Sequence, residues 1–354
     1  MKKYGLQIGC LVLCLVLLLC GCRGNESGDD SAATTTTTTT TATTTTRTTG
    51  TPTTIYAAAD TGLSISSPTG ERPDAELLER LAAVCKKYKG SVSVYYKDLE
   101  TGYEITYDAD KIYQAASVIK APYVKYLLTQ DIDWNKKLEM TSKQGGSAHV
   151  DSKPIGTQFT VGELMEYAIR YSDNTAYYML NKEFGFTGFN SYADGLTVDA
   201  NRRSNLTLKF SKPRFGYLSA RDVGKYFTDI AAYIDEGSEN ARKLYSWLIT
   251  TTEQAQLPAA YDAKQYQFEQ LKSADKLNAA YNDRRNGYAI AHKYGEQDYG
   301  NAWSRAYHDG AIVWRDHPYV LSICTSLVPG EDESLEFFHD VAMYIDQIQT
   351  DWYR

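Results

Sequence analysis

Ser117 and Lys120 are the two residues in this sequence whose types and spacing best suit covalent chemistry. On a helical turn, a spacing of three residues places a hydroxyl and an amine on the same face. The amine can then take the hydroxyl proton and make the oxygen a nucleophile. The pair therefore predicts attack by an activated serine.

The same spacing occurs again at Ser273 and Lys276, in different surroundings. At average residue frequencies, about one Ser-x-x-Lys is expected by chance in a chain of this length. The second pair lies in a strongly polar stretch, so we interpret it as a solvated helical face. Ser117 is instead followed by apolar residues at helical spacing, which predicts a buried helix with the serine at its amino end. At that end the helix dipole favours developing negative charge.

A second motif, Ser172-Asp-Asn174, lies within a mostly helical stretch of the sequence. Asn174 and Thr175 suit the start of the helix that follows them. Taken alone, the motif is therefore interpreted as an ordinary helix cap.

A third motif, Lys293-Tyr294-Gly295, comes at the end of a predicted strand. A lysine that leaves a strand next to a glycine usually marks only the end of that strand. Alone, this motif indicates no chemistry.

The elements that must position these motifs fall into two parts after residue 70. Residues 71–113 and 286–354 contain predicted helices at 76–89 and 333–352 and predicted strands at 91–96, 103–107, 288–294, 311–315 and 319–327. Residues 114–285 are predicted to be mostly helical. This pattern is typical of an α/β (α+β) domain whose sheet comes from both ends of the sequence, with an all-α part inserted between them.

The amino terminus has the features of an export signal. Two lysines precede an apolar run from Leu11 to Leu19, which is too short for a permanent membrane helix. The run ends in Leu-Cys-Gly-Cys22, which resembles the bacterial lipobox. We therefore predict a signal peptide over residues 1–21, lipidation of Cys22 and an extracytoplasmic, membrane-anchored lipoprotein. The alternative is an ordinary cleaved signal with incidental cysteines.

Residues 22–70 are predicted to form a flexible tether. Most residues from Ser31 to Thr54 are threonines, and such a segment buries too little apolar surface to order itself. A flexible chain of this size has an end-to-end distance of about 40 Å. The folded domain would therefore work away from the membrane surface.

Composition excludes other classes of function. The formal net charge of −7 and the lack of a basic stripe argue against nucleic-acid binding. The histidines are scattered and no Cys/His cluster has metal spacing, so we predict neither a metal nor a cofactor. After residue 22 the cysteines are Cys85 and Cys324; we interpret them as two buried thiols, with a single disulfide as the alternative.

In this order, the three motifs resemble the Ser-x-x-Lys, Ser-Asp-Asn and Lys-Thr-Gly signature of class A β-lactamases and penicillin-binding enzymes. The resemblance covers nearly all of the chain after the tether. The further segments that carry it are Leu99–Tyr103, Asp108–Asp110, Leu218–Asp222 and His308–Ile312. It implies the β-lactamase/transpeptidase-like fold, in which an antiparallel sheet is flanked by the N- and C-terminal helices and a helical subdomain is inserted.

The resemblance also implies catalytic roles. Ser117 would attack a strained or activated amide carbonyl and become acylated. Lys120 would be the base, with a pKa lowered by burial and by a second cation nearby, such as Lys293. Ser172 would relay a proton to the leaving nitrogen.

Substrate-binding roles are implied for the second and third motifs. Asn174 would hold the amide side chain of the substrate, and Lys293 would attract its carboxylate. The backbone N–H groups of Ser117 and of Glu296, just after Gly295, would form the oxyanion hole.

Two departures from the family pattern bear on function. Active class A β-lactamases carry a glutamate in the loop after the Ser-Asp-Asn helices, where it drives water onto the acyl-enzyme. Residues 184–234 contain no glutamate; Asp194 and Asp199 are the carboxylates of the corresponding loop, and Asn201 stands where the base would be. Slow deacylation is therefore expected. Tyr294 replaces a threonine, so the pocket either prefers a different acyl donor or binds the usual one more weakly.

Three functions remain open from the sequence. We favour a class A β-lactamase-type serine hydrolase that acts on β-lactams or related amides. The alternatives are a penicillin-binding DD-peptidase-like enzyme that acts on peptidoglycan stem peptides, and a surface-binding or sensory lipoprotein without turnover. The expected partners are such small molecules and, through the lipid, the membrane; we expect a monomer.

Overall fold

The computed structural model of the protein describes residues 54–57, 61–68, 73–146, 148–198, 216–286, 289–302 and 304–354. The predicted signal peptide, Cys22 and most of the Thr-rich segment lie outside the described residues, as do Asp199 and Asn201. Within the described ranges, no helix is both long and apolar enough to cross a membrane.

The largest sheet has seven strands. The strands of the described residues are β1 Thr54–Ala57, β2 Leu63–Ser67, β3 Val92–Asp98, β4 Glu104–Tyr107, β5 Tyr113–Gln114, β6 Lys137–Glu139, β7 Gln158–Thr160, β8 Tyr217–Leu218, β9 Ile290–Gln297, β10 Ala306–Val313 and β11 Tyr319–Thr325. The sheet has the order β1-β2-β4-β3-β11-β10-β9, and every neighbouring pair is antiparallel. The predicted antiparallel sheet built from both ends of the sequence is therefore confirmed.

Helices surround this sheet. The helices of the described residues are a 3₁₀ turn at Ala116–Ile119 and α1 Ala75–Lys87, α2 Lys120–Leu128, α3 Ala148–Asp151, α4 Val161–Arg170, α5 Asn174–Phe184, α6 Thr187–Gly195, α7 Ala220–Asp235, α8 Glu239–Leu248, α9 Leu257–Ala260, α10 Phe268–Leu271, α11 Ala274–Asn282 and α12 Asp332–Trp352. The terminal helices α1 and α12 pack against each other. The fold is α+β, as predicted.

The sheet separates two hydrophobic cores because side chains alternate along its strands. On β3, Tyr95 belongs to the core shared with the inserted helices, and Tyr96 belongs to the core under α1 and α12. Helix α7 packs against β3, β10 and β11, and Gly224 allows the close approach, since a Cβ there would lie 2.0 Å from the Tyr95 ring. Cys85 and Cys324 lie in different cores as free thiols, so the disulfide alternative is wrong.

The predicted boundary of the tether at residue 70 is wrong. Strands β1 and β2 fall within residues 22–70, and β2 pairs with β4 inside the main sheet. Leu63 and Ile65 are buried, while Ser64 between them is exposed, so β2 has the alternation of a half-buried strand. The sheet therefore begins before residue 71.

Several other boundaries differ by a few residues. Strand β10 begins at Ala306, five residues before the predicted start, because its first half contains the polar residues His308 and Asp309, which are fully buried. Strand β9 continues to Gln297, past the predicted end at Tyr294. This extension places the third motif inside an edge strand.

Candidate active site

Ser117 lies on the 3₁₀ turn that leads into α2. Ala116, directly before it, has a φ of 45°, an uncommon conformation for a residue with a side chain. Such strain is found preferentially at functional sites. The expected buried helix with Ser117 at its amino end is present, since nearly all of α2 is buried.

Lys120 is the first residue of α2 and has no exposed surface. Its Nζ donates to the carbonyl oxygen of Ser172 and to Oδ1 of Asn174, the latter at 2.7 Å, and lies 3.4 Å from Oγ of Ser172. Burial, and next the positive charge of Lys293, lower the pKa of Lys120 well below its ordinary value. A lowered pKa favours the neutral amine, which is the form that can accept a proton.

The Ser-Asp-Asn turn joins α4 to α5. The helix begins at Asn174, as predicted, and Asp173 is its N-cap: one carboxylate oxygen accepts from the Ala176 N–H and the other from the Val150 N–H, both at 2.9 Å. Because Asp173 caps the helix, its neighbours on either side are available to the site. Ser172 has a φ of 51°, which costs about 1–3 kcal/mol for a residue of this kind.

Asn174 connects Lys120 to a neighbouring loop. Its Oδ1 accepts from Lys120, and its Nδ2 donates to the carbonyl oxygen of Gly145 at 2.8 Å. The amide orientation is therefore fixed by a donor on one side and an acceptor on the other.

Lys293 lies on β9 and is also fully buried. Its Nζ donates to Oγ of Ser172 at 3.0 Å and to the carbonyl oxygen of Tyr294 at 2.8 Å. Burial lowers the pKa of Lys293 to about 7, although the charge of Asp309 opposes this. Ser172 thus lies between two buried amines, which suits a proton relay.

Gly295 brings the edge strand against the 3₁₀ turn that carries Ser117. A Cβ at this position would lie 2.7 Å from the backbone nitrogen of Val118 and 2.9 Å from that of Ser117. The predicted oxyanion hole joins these same two segments of backbone, so the close contact agrees with that expectation.

These residues surround an open cavity of about 550 Å³. Its lining is Ala116, Ser117, Gly146, Ser172, Asn174, Tyr294, Glu296, Gln297, Asp298, Tyr299, Pro329 and Gly330. Lys120 and Lys293 are fully buried and bond to side chains of this lining. The structure therefore brings together all the predicted site residues of the three motifs. The second Ser-x-x-Lys pair, Ser273 and Lys276, is exposed on α11, as predicted.

Comparison with known proteins decides the family. A family model described as "Beta-lactamase enzyme family" matches residues 76–348. The chain belongs to this family. The fold of this beta-lactamase family member and its three motifs both agree with the family assignment.

Curated relatives match over part of their length. The Beta-lactamase ROB-1 of Haemophilus influenzae is 29% identical over 139 residues, which cover 38% of this chain and 46% of that protein. A Beta-lactamase of Mycobacterium tuberculosis is 33% identical over 117 residues, which cover 32% of this chain and 38% of that protein. The chain thus matches less than half the length of these relatives.

Solved structures show the same fold over most of this family member. PBP-A superposes with a TM-score of 0.60 at 18% identity, covering 79% of this chain and 98% of PBP-A. A beta-lactamase from Chitinophaga pinensis superposes with a TM-score of 0.61 at 17% identity, covering 77% and 99% of the two chains. At these identities the likeness concerns the fold.

A buried pair behind Lys293 was missed from the sequence. Nδ1 of His292 lies 3.0 Å from both carboxylate oxygens of Asp309, and Nε2 of His292 bonds to the hydroxyl of Thr251. The backbone N–H of Leu257 also donates to Asp309, at 3.2 Å. In the sequence, His292 was one of the scattered histidines, and only the pairing of β9 with β10 brings it to Asp309.

Replacing Asp309 with asparagine should lower the pKa of Lys293 further, because the Asp309 carboxylate is the largest of the charges that favour the protonated amine. NMR titration of the lysine Nζ signal measures this pKa directly. As a control, Asp298→Asn should leave it unchanged, since Asp298 pairs with Arg305 at 3.2 Å. An unchanged or raised pKa in Asp309→Asn would contradict the expectation.

Proposed function

We propose that the protein is a serine hydrolase whose Ser117 is acylated by β-lactams or related amides. The observation that supports this most is the position of Ser172, which lies 3.0 Å from Nζ of Lys293 and 3.4 Å from Nζ of Lys120 at the wall of the Ser117 cavity. Such an arrangement can remove a proton from one atom and deliver it to another.

Acylation then replaces the amide C–N bond of the substrate with an ester bond to Ser117. Neutral Lys120 takes the hydroxyl proton of Ser117 as Oγ bonds to the carbonyl carbon. The N–H groups of Ser117 and Glu296 stabilise the negative charge on the carbonyl oxygen. The C–N bond breaks, and the proton passes from Lys120 through Ser172 to the leaving nitrogen. The products are the Ser117 ester and an amine.

Deacylation is proposed to be slow. The two carboxylates that line the cavity within the described residues are Glu296 and Asp298, both next to the third motif. Asp194 lies at the exposed carboxyl end of α6 and is not part of the lining. Among the described residues, neither lining carboxylate comes from the loop after the Ser-Asp-Asn helices, so we expect the ester to persist.

A fluorescent penicillin followed by gel and intact mass tests both parts of the proposal. We expect one adduct on Ser117 that persists for minutes or longer, with little hydrolysed product. Ser117→Ala should remove the label, whereas the control Ser273→Ala should retain it. A transient adduct with abundant product would contradict slow deacylation. Absence of any label would contradict the acylation itself.

A second candidate is a DD-peptidase-like enzyme that acts on peptidoglycan stem peptides. The lack of a glutamate in residues 184–234 favours it, because this reaction uses the same acylation chemistry and does not need that base. Release of D-alanine from a pentapeptide would identify this activity. A sensor without turnover would hold the penicillin adduct and release no D-alanine.

We also propose that the protein is an extracytoplasmic lipoprotein anchored through Cys22. The apolar run before Cys22 and the polar, Thr-rich segment after it support this arrangement. The site would then face substrates outside the cytoplasmic membrane, where peptidoglycan and β-lactams are both met.

A further inference from the structure

Most of the hydrogen-bonding capacity of Lys293 is already used within the protein. An ammonium group has three N–H donors. Two of them serve Oγ of Ser172 and the carbonyl oxygen of Tyr294. On a remaining side, Nζ lies only 3.7 Å from the centroid of the Tyr294 ring, a favourable cation–π contact.

The Tyr294 ring also separates Lys293 from the cavity. Tyr294 is part of the cavity lining, whereas Lys293 has no exposed surface. A substrate carboxylate in the cavity would therefore meet the aromatic ring and not the amine. A threonine at position 294 would leave the amine uncovered and present a small hydroxyl.

The charge around this wall is unfavourable for an anion as well. Glu296 and Asp298 line the cavity beside Tyr294. Burial, and next the negative charge of Glu253, raise the pKa of Glu296. Lys120 and Asp309, the other charged groups near Lys293, are buried behind the lining. A neutral group meets no such repulsion.

We propose that Tyr294 is a specificity-determining residue that reserves Lys293 for the proton relay and selects acyl donors whose group on this side is uncharged. The substrate class is an amide whose carboxylate at this position is amidated, esterified or absent. The inference rests on the proposed acylation of Ser117 and refines its substrate.

Benzylpenicillin and its methyl ester test the proposal, because they differ only in the charge of the carboxyl group. Second-order acylation rate constants are measured by intact mass at a pH about one unit below the pKa of Lys293, where the amine is protonated. The wild-type protein should react with the ester at least as fast as with the free acid. In Tyr294→Thr the ratio of the two constants should move about tenfold or more toward the acid. Tyr294→Phe, which keeps the ring, and Tyr299→Thr, which changes an exposed tyrosine of the same cavity, should keep the wild-type ratio.

A tenfold preference of the wild-type protein for the free acid would overturn the proposal, and so would an unchanged ratio in Tyr294→Thr. A second measurement does not depend on acylation: N-acetyl-D-alanine is added while the Lys293 Nζ signal is titrated by NMR. This carboxylate should leave the pKa of Lys293 unchanged in the wild type and raise it in Tyr294→Thr. If neither penicillin labels Ser117, the proposed function fails, and the NMR result still decides the role of Tyr294.

Discussion

Lys120→Ala is expected to reduce the acylation rate of Ser117 about a thousandfold, within the range that general-base catalysis contributes. The amine of Lys120 is fully buried and hydrogen-bonded to the second motif, and its lowered pKa leaves it able to accept a proton. No other basic side chain among the described residues bonds to both Ser172 and Asn174. The rate is measured by quenched flow, with the penicillin adduct detected by intact-protein mass spectrometry.

The second Ser-x-x-Lys pair supplies a matched control. Lys276→Ala makes the same chemical change at an exposed position on α11, so acylation should be unaffected. Thermal stability should stay nearly unchanged in Lys120→Ala, because the lost hydrogen bonds are offset by removal of a desolvated amine. Lys120→Met, which fills the same space, separates a chemical effect from a packing effect. Labelling at the wild-type rate in both Lys120 variants would remove this residue from the mechanism.

The pH dependence of the acylation rate should reflect the protonation state of Lys293. A protonated amine can only donate a hydrogen bond to Oγ of Ser172, so the Ser172 hydroxyl is free to donate its own proton to the leaving nitrogen. A neutral amine can also accept the hydroxyl proton of Ser172, which turns the hydroxyl away from the leaving nitrogen. Since the pKa of Lys293 lies at about 7, this orientation is lost as the pH rises through that value. The relay should therefore be best ordered on the acidic side of pH 7.

The sequence predicted the site better than it predicted the sheet. Each of the three motifs is a local pattern of three or four residues, and helical spacing relates Ser117 to Lys120 without knowledge of the rest of the fold. The sequence gives little signal for strand β2, because its two apolar residues, Leu63 and Ile65, alternate with serines next to a Thr-rich segment. Such a short alternation is weak until the pairing with β4 buries one face.

Contacts between distant segments could not be derived from the sequence. The bond between His292 and Asp309 depends on the register of β9 and β10, in which Asp309 lies opposite Tyr294. The cover of Tyr294 over Lys293 depends on side-chain directions that the sequence does not contain. The sequence therefore indicates that a tyrosine replaces a threonine at position 294, but it does not indicate how that tyrosine affects the neighbouring lysine.

Gly295→Ala should reduce acylation about a hundredfold or more, the cost typical of losing one oxyanion-hole donor. The added methyl carbon would lie 2.7 Å from the backbone nitrogen of Val118 and 2.9 Å from that of Ser117, closer than real Cβ atoms approach. Backbone atoms cannot move aside as the end of a flexible side chain can, so β9 and the 3₁₀ turn that carries Ser117 must separate. Because the proposed oxyanion hole takes its donors from both segments, this separation should weaken stabilisation of the transition state more than binding of the substrate.

The control is Gly195→Ala, where a Cβ would meet no atom within 4 Å and the backbone is compatible with alanine. That variant should acylate at the wild-type rate. The decisive readout for Gly295→Ala is the acylation constant at saturating penicillin, compared with the melting temperature. A large fall in the constant with a folded protein supports the oxyanion hole between Ser117 and β9. Wild-type acylation in Gly295→Ala would contradict an oxyanion hole shared between Ser117 and β9, and would show that the close contact at this glycine serves packing alone.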